Sequence, residues 1–309
     1  MIQRVAIVGT GLIGASIGLA LKASGFRGKV LGYDTNAEEL STGLKLGAID
    51  EALANREAVL SSRADVIVLC TPVLPILDWM EHLAPALSEQ QLVTDVGSTK
   101  REIAAKAAQI FNQEGRARFL PGHPMAGKES GGAALSEVRL FEGATWLFTP
   151  LSPLSSRPEA RSSRRSGEIA VFESDESSLE TAWRGMVQQF GAQVRDMDPR
   201  RHDEVCAWVS HLPQMMSTAL AALLQDTFAG DPEGLAAVQA IGGRALRETT
   251  RLGASPYSMW RDVAMTNTAE IAQTLSALEQ RLAHVRENLR TPELRDEFAT
   301  ANRFRNKPS

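Results

Sequence analysis

Cysteine is almost absent. Only Cys70 and Cys206 occur among 309 residues, each inside an apolar run, so buried thiols are expected rather than a disulfide framework. Histidine is also scarce, with five residues scattered singly and no metal-ligand spacing in the sequence, so no metal is expected. No apolar run approaches the roughly 18 residues that a membrane helix needs. The first residues are expected to enter a strand at once, so no leader peptide is expected. With 33 basic against 37 acidic residues the net charge is −4, and no basic stripe interleaves with aromatics, which argues against nucleic acid as a partner. Hydrophobic residues at 43% and charged residues at 23% are ordinary for a globular chain, so a soluble cytoplasmic protein with a sizeable core is expected.

What is present has two textures. Up to residue 197, short apolar runs alternate with amphipathic stretches, the pattern of βαβ units and a doubly wound parallel sheet. Strands are expected at 4–8, 29–33, 66–70, 92–96 and 119–121, with helices at 13–24, 37–46 and 100–114, and later strand-like pieces at 145–149 and 193–197. A Ser/Arg/Pro-rich stretch at 151–167 has no apolar anchor and is expected to be a solvated loop. From Arg200 to Arg303 the chain reads as helices, with breaks at Gly230-Asp231-Pro232 and Ser255-Pro256 and one long amphipathic helix over 264–288. The expected division is therefore a Rossmann-type domain over 1–197 and an all-helical domain over 198–309.

The motif Gly9-Thr10-Gly11-Leu12-Ile13-Gly14 follows the first strand and opens the first helix, the setting a dinucleotide fingerprint requires. Gly9 serves the tight turn, Gly11 leaves room for a pyrophosphate, and Gly14 lets helix and strand pack closely. The pyrophosphate then meets the free N–H groups and the dipole of the helix N-terminus. Asp34 ends the second strand, where its carboxylate accepts from ribose hydroxyls. No arginine follows it to receive a 2′-phosphate, so NAD is expected over NADP. Thr71-Pro72 and Ser98 follow two further strands, and in an open parallel sheet the carboxyl ends of strands face the ligand. Ser98 fits either a ligand contact or a helix N-cap. His123, in Gly122-His123-Pro124-Met125-Ala126-Gly127-Lys128-Glu129, lies past the next strand, in what reads as a loop. Its ordinary pKa suits a base that takes a hydroxyl proton while hydride leaves.

These residues resemble the prephenate/arogenate dehydrogenase family. Gly122–Glu129 is similar to that family's His-Pro-Met-Ala-Gly loop, and Asp95-Val96-Gly97-Ser98-Thr99-Lys100 to its Asp-Val-Gly-Ser-x-Lys turn. His202-Asp203 with Ser210-His211-Leu212-Pro213 resembles its second-domain histidine motif. Leu246-Arg247-Glu248-Thr249-Thr250-Arg251-Leu252 and Met259-Trp260 resemble two later segments. The matches come in the family's order and cover nearly the whole chain. The resemblance implies NAD-dependent oxidative decarboxylation of prephenate to 4-hydroxyphenylpyruvate, as a step of tyrosine biosynthesis, by a homodimer joined through the helical domain. It makes His123 the base with Ser98 beside it, and Arg251 the holder of a substrate carboxylate. Glu129 and Glu248 would join an ionic network, and Trp260 would pack on the substrate, either within its own chain or across the dimer.

His202 and His211 are nine residues apart and fall on opposite sides of a straight helix at 100° per residue. Both reach one site only if Pro213 or a local distortion re-aims the chain. His211 and Gln214 share a face and are assigned to substrate contact, with His202 left as an interdomain or structural group. The chain departs from the family where Gln214 replaces a histidine and where Gly242-Gly243-Arg244-Ala245-Leu246 replaces a Gly-Gly-Gly-Phe run. Neutral Gln214 favours the keto acid prephenate, while arogenate or dual use stays open. A β-hydroxyacid dehydrogenase would need a helix lysine, and the helical half has only Lys307. A non-catalytic NAD-sensing regulator is the reading outside enzymology.

Overall fold

The computed structural model describes residues 2–111, 114–151 and 178–306. All but the first residue of the 151–167 stretch, and Lys307, lie outside them. The strands are β1 (Arg4–Val8), β2 (Lys29–Tyr33), β3 (Glu51–Ala52), β4 (Val66–Leu69), β5 (Leu92–Asp95), β6 (Arg118–Leu120), β7 (Gly122–Pro124), β8 (Thr145–Phe148) and β9 (Gln193–Asp196). Six of them form one parallel sheet in the order β3-β2-β1-β4-β5-β6, which reverses direction of growth between β1 and β4. That is the doubly wound dinucleotide-binding order, with its crevice at the switch point.

Because alternate residues of a strand point to opposite faces, the sheet builds two cores. Ala6, Val8, Ile67, Leu69 and Val93 face one, together with Ile76 and Met80 of α4 (Val73–Leu83) and Ile103 and Ala107 of α5 (Arg101–Ile110). Val5, Ile7, Val66 and Val68 face the other, with Ile17 and Leu21 of α1 (Leu12–Ala23). Two short helices, α2 (Ala37–Lys45) and α3 (Arg56–Ser61), complete the first half. A small second sheet has β7 antiparallel to β8 and β8 parallel to β9, with α6 (Leu179–Gln189) before β9.

His123 is therefore on a strand, paired with Leu147, rather than in the loop expected from sequence. Pro121 cannot donate to a ladder, so the first sheet ends there and the chain crosses to the second. The Asp95 carboxylate fixes the crossing by accepting from the Gly122 N–H at 3.1 Å.

After β9 the chain is helical: α7 (Pro199–Cys206), α8 (Leu212–Thr227), α9 (Pro232–Ile241), α10 (Gly243–Thr250), α11 (Tyr257–Thr266), α12 (Thr268–Glu287) and α13 (Glu293–Arg305). The single helix expected over 264–288 is broken at Asn267, whose φ of −136° lies outside the helical range. Its side chain is the reason. The Asn267 amide donates to the Asp203 carbonyl at 2.9 Å, which holds the residue away from helical geometry.

The two halves meet through helix N-termini. The Asp203 carboxylate on α7 accepts from the Lys100 and Arg101 N–H groups at 2.7 and 2.9 Å, capping α5. Asp262 on α11 accepts from the Leu74 N–H at 3.0 Å, in the first turn of α4. Acidic groups there satisfy orphan donors and meet the positive end of the helix dipole. The Thr99 and Thr266 hydroxyls pair at 2.7 Å, and Arg101 pairs with Glu270.

Candidate active site

At the carboxyl end of β1 the fingerprint has the geometry its spacing predicts. Gly9 adopts φ +94°, and a Cβ there would sit 2.7 Å from the Cys70 carbonyl oxygen on the neighbouring strand end. At Gly14 it would sit 1.9 Å from the Gly9 oxygen, so any side chain would push α1 off β1. Above Gly11 nothing lies within 4 Å, and α1 starts there with no side-chain cap and no acid in its first turn. Uncapped N–H groups beneath open space suit a pyrophosphate, so the chain's residues fit a dinucleotide. Leu12 and Ile13 form the first turn of α1, and Thr71 and Pro72 lie between β4 and α4.

Asp34 follows β2, beside this turn. Its carboxylate accepts from the Thr10 N–H at 2.7 Å, from the Thr10 hydroxyl at 3.3 Å and from the Asn36 N–H at 2.8 Å. It thus braces the fingerprint turn itself, a contact that sequence reasoning did not anticipate. Each oxygen keeps acceptor capacity for a hydroxyl.

His123, His202 and Asp203 form a hydrogen-bonded line. His202 Nδ1 lies 2.8 Å from Asp203 Oδ1, and His202 Nε2 lies 2.9 Å from His123 Nδ1. The Asp203 oxygen only accepts, so His202 carries its proton on Nδ1 and presents a lone pair at Nε2. His123 then donates from Nδ1, which leaves its Nε2 as a lone pair with no protein partner among the described residues. Burial is the main cause holding the His123 imidazole well below its ordinary pKa, reinforced by His202, Lys100 and His211. Burial also lowers His202, against the pull of Asp203. Burial alone would raise the Asp203 carboxyl, but bonds from His202 and from the Arg101 and Lys100 N–H groups outweigh it and hold it low. The line is an ionised carboxylate and two neutral imidazoles. Lys100 and Asp95, both fully buried, form an ion pair beside it.

His211 joins the same cluster because the helix does not run straight. Ala207–His211 is wound as a π-helix between α7 and α8, and its wider turns advance less than 100° per residue. This is the local distortion that brings His211 to the Asn267 amide, which also bonds the Asp203 carbonyl. The Asn267 amide nitrogen donates to the Asp203 carbonyl and to His211 Nδ1 at 3.2 Å, so His211 bears its proton on Nε2. Burial pushes this imidazole down to about 4. Its ring meets Trp260 of the same chain edge-on at 5.8 Å. His211 Nε2 and Trp260 Nε1 are both buried donors without a partner among the described residues. Such groups call for a water or a ligand as partner.

Arg251 is ion-paired with Glu129 across the two halves of the chain. Glu248 does not join that pair. It accepts from Arg244 at 2.6 Å, one turn away on the exposed face of α10, because the i, i+4 spacing brings those two together. Gln214 is also placed differently from the expected substrate contact. Its amide nitrogen donates to the Thr218 hydroxyl at 3.1 Å and the Leu252 carbonyl at 2.7 Å, and its oxygen accepts from the Ser255 hydroxyl at 3.2 Å. With its amide engaged, Gln214 holds the 3₁₀ turn Arg251–Ala254 that begins with Arg251. Ser98 is half-buried at the edge where β5 ends and makes no side-chain hydrogen bond to the described residues. It is not the cap of α5; Asp203 is.

Sequence reasoning left out the roles of Asp203, Asn267, Lys100 and Cys206. The adjacency of His202 and Asp203, the i, i+4 spacing of His202 and Cys206 and the Asp95–Lys100 motif offered local signals, whereas the Asn267 contacts are made between distant segments.

Two family models match the chain: the prephenate dehydrogenase nucleotide-binding domain over residues 17–157 and the prephenate dehydrogenase dimerization domain over 198–302. The chain is 31% identical over 272 residues to the prephenate dehydrogenase of Bacillus subtilis, covering 88% of this chain and 66% of that relative's length. Among solved structures it is similar to the prephenate dehydrogenase of A. aeolicus in complex with hydroxyphenyl propionate and NAD+. That likeness has 30% identity and a TM-score of 0.78, covering 98% of this chain and 96% of that one. The arogenate dehydrogenase of Synechocystis is 27% identical with a TM-score of 0.70, covering 98% and 99% of the two chains. Fingerprint, histidine line and two-part architecture agree with these matches: the chain belongs to the prephenate dehydrogenase family.

Proposed function

We propose that this chain catalyses the NAD-dependent oxidative decarboxylation of prephenate to 4-hydroxyphenylpyruvate, serving tyrosine biosynthesis. The observation that carries the reading is the line from Asp203 through His202 to His123, which leaves one imidazole lone pair free at the sheet's ligand edge. NAD, held by Gly9 to Gly14, Asp34, Thr71 and Pro72, supplies the hydride acceptor when bound. His123 Nε2 takes the proton of the ring hydroxyl as hydride leaves the same carbon. Carbon dioxide departs with the bond to the ring left behind as an electron pair, and the ring becomes aromatic. The imidazolium that forms on His123 is stabilised by its bond to neutral His202, which the Asp203 carboxylate polarises.

Around this base the chain offers donors for an acidic substrate. Arg251 meets one carboxylate on exchanging its Glu129 partner. His211 Nε2–H and Trp260 Nε1–H meet further oxygens, and Ser98 shares the hydroxyl with His123. Gln214 acts through the turn it braces. The Arg251–Glu129 ion pair supports arogenate or dual use instead, since a carboxylate that takes Arg251 would free Glu129, an acid suited to an ammonium group.

We assign the division at residues 197 and 198, since the last strand ends at Asp196 and α7 begins at Pro199. The assembly is a homodimer through the helices, because α9, α10 and α13 bury no residue within one chain, and Leu223, Ile241, Tyr257 and Phe298 stand exposed. No described helix is long and apolar enough to cross a membrane, and both cysteines are free, which fits a reducing cytoplasm.

The test is nicotinamide absorbance with NAD or NADP, comparing prephenate and arogenate, with light scattering for the dimer. Turnover of prephenate with NAD is expected. A preference for arogenate would overturn the substrate choice, and NAD binding without turnover of either would favour a regulator.

A further inference from the structure

Cys206 is buried and takes no part in the chemistry above, yet it stands at the junction of the histidine line. Its Sγ lies 3.5 Å from His202 Nε2, the atom that also faces His123 Nδ1 at 2.9 Å. One ligand atom from each of the three residues lies within 4.8 Å of the others. His202 and Cys206 are one turn apart on α7 and so share a face, while His123 approaches from β7. We propose that His123, His202 and Cys206 form a site for a soft divalent transition metal such as Zn2+, and that its occupation inhibits the enzyme.

The donor set is two imidazoles and a thiol, the kind that selects zinc and its soft neighbours. Tetrahedral zinc, with bonds of about 2.0–2.1 Å to nitrogen and about 2.3 Å to sulfur, needs ligand atoms roughly 3.3–3.7 Å apart. The Cys206–His202 distance already falls in that range, the two rings must separate by a few tenths of an ångström, and the Cys206–His123 pair lies within 4.8 Å. The outer contact is in place as well. His202 donates Nδ1–H to Asp203, the carboxylate–histidine arrangement that fixes a metal-binding tautomer. A thiolate and the Asp203 carboxylate together balance the charge of a dication. The fourth position falls to water.

No electron moves in this step. The Cys206 thiol proton passes to solvent, and the sulfur–metal bond replaces the S–H bond. His123 keeps its one ring proton, which shifts from Nδ1 to Nε2 as Nδ1 takes the metal. Nε2 then has no lone pair and no longer serves as a base. The inhibitory half of the proposal rests on His123 Nε2 being the base; the binding half does not.

The experiment titrates chelator-treated protein, with and without NAD, with Co2+ and reads the thiolate-to-cobalt charge-transfer absorption. Zn2+ is then added to displace cobalt while turnover is followed. The parent and Cys70→Ser should show the band with one metal per chain, and Cys206→Ser and Cys206→Ala should lack it. The ratio of turnover without to with Zn2+ is taken within each protein. Half-inhibition should need about tenfold more Zn2+ or higher in the Cys206 variants. Absence of the band in the parent, or its survival in both Cys206 variants, would overturn the site. A band with undiminished turnover would overturn the inhibitory half, and metal-free turnover of prephenate reports on the base assignment separately.

Discussion

Replacing Asp203 by asparagine tests whether one side chain both locks the two halves together and sets the tautomer of the base. The carboxylate accepts three N–H groups, from Lys100 at 2.7 Å, Arg101 at 2.9 Å and His202 Nδ1 at 2.8 Å. An asparagine keeps one oxygen and turns the other position into a donor. With its oxygen toward Lys100 and His202, the new NH2 faces the Arg101 N–H, and an unpaired buried donor costs about 1–3 kcal/mol. The two surviving bonds fall from charge-assisted to neutral, losing about 1 kcal/mol or more each. The sum is about 3–6 kcal/mol, a large part of the 5–15 kcal/mol typical of a domain. The alternative orientation sets NH2 against His202 Nδ1–H, which favours the other tautomer of His202 and in turn protonates His123 on Nε2. Turnover should then fall by about 10²–10⁴-fold. The assays are kcat for prephenate, NAD binding by nicotinamide fluorescence, and the urea midpoint of unfolding. NAD affinity should persist, because the cradle over Gly11 lies on α1, apart from this contact. A stable variant with turnover within an order of magnitude of the parent would refute the relay.

His123→Asn should lower turnover by about 10²–10⁴-fold with NAD binding retained, measured by steady-state kinetics and by fluorescence titration. Arg251→Ala should raise the KM for prephenate with a smaller effect on kcat, since it removes binding rather than chemistry; an unchanged KM would take Arg251 out of the site. Asp34→Ala should weaken NAD and narrow its advantage over NADP, and it should also loosen the turn at Thr10, read as a lower unfolding midpoint. The pH profile of kcat/KM should stay flat as pH falls through 6.5, the ordinary histidine value, because burial keeps His123 neutral there; the drop comes only at lower pH. Stability moves in the same direction. Below pH 6.5 the unfolded chain binds protons that buried His211 refuses until about 4, so that residue alone removes about 3 kcal/mol as the pH falls through this window.

Much of this architecture was legible in the sequence because it is written locally. The alternation of apolar runs located β1, β2, β4 and β5, and the Gly9–Gly14 spacing placed the cradle, since each glycine's role is set by neighbours a few residues away. What the sequence hid depends on distant partners. The break at Asn267 is invisible to helical periodicity, because it comes from a hydrogen bond to Asp203 sixty-four positions earlier. The π turn at Ala207–His211 is likewise silent, for its residues pattern like any helix. That turn re-aims His211, while His202 makes an interdomain contact, to His123, as one of the roles left open for it. Glu248 was assigned by motif position and Gln214 by the helix face it shares with His211, yet other partners claim them: Arg244 one turn away for Glu248, and for Gln214 the distant turn that begins with Arg251.

The division of labour across the fold follows from these same contacts. His123 belongs to the β-rich half, on a strand anchored by Asp95, while His202 and Asp203 belong to the helical half. The atoms that set the proton on His123 therefore arrive only when α7 docks on the N-terminus of α5. One carboxylate provides both effects, since the oxygens that cap α5 are the ones that hold His202 Nδ1. The proposed base is competent only in the docked arrangement, which sets His123 against His202. Any change that separates α7 from α5 should therefore lose the chemistry before it loses the dinucleotide, whose cradle is built within the first half alone.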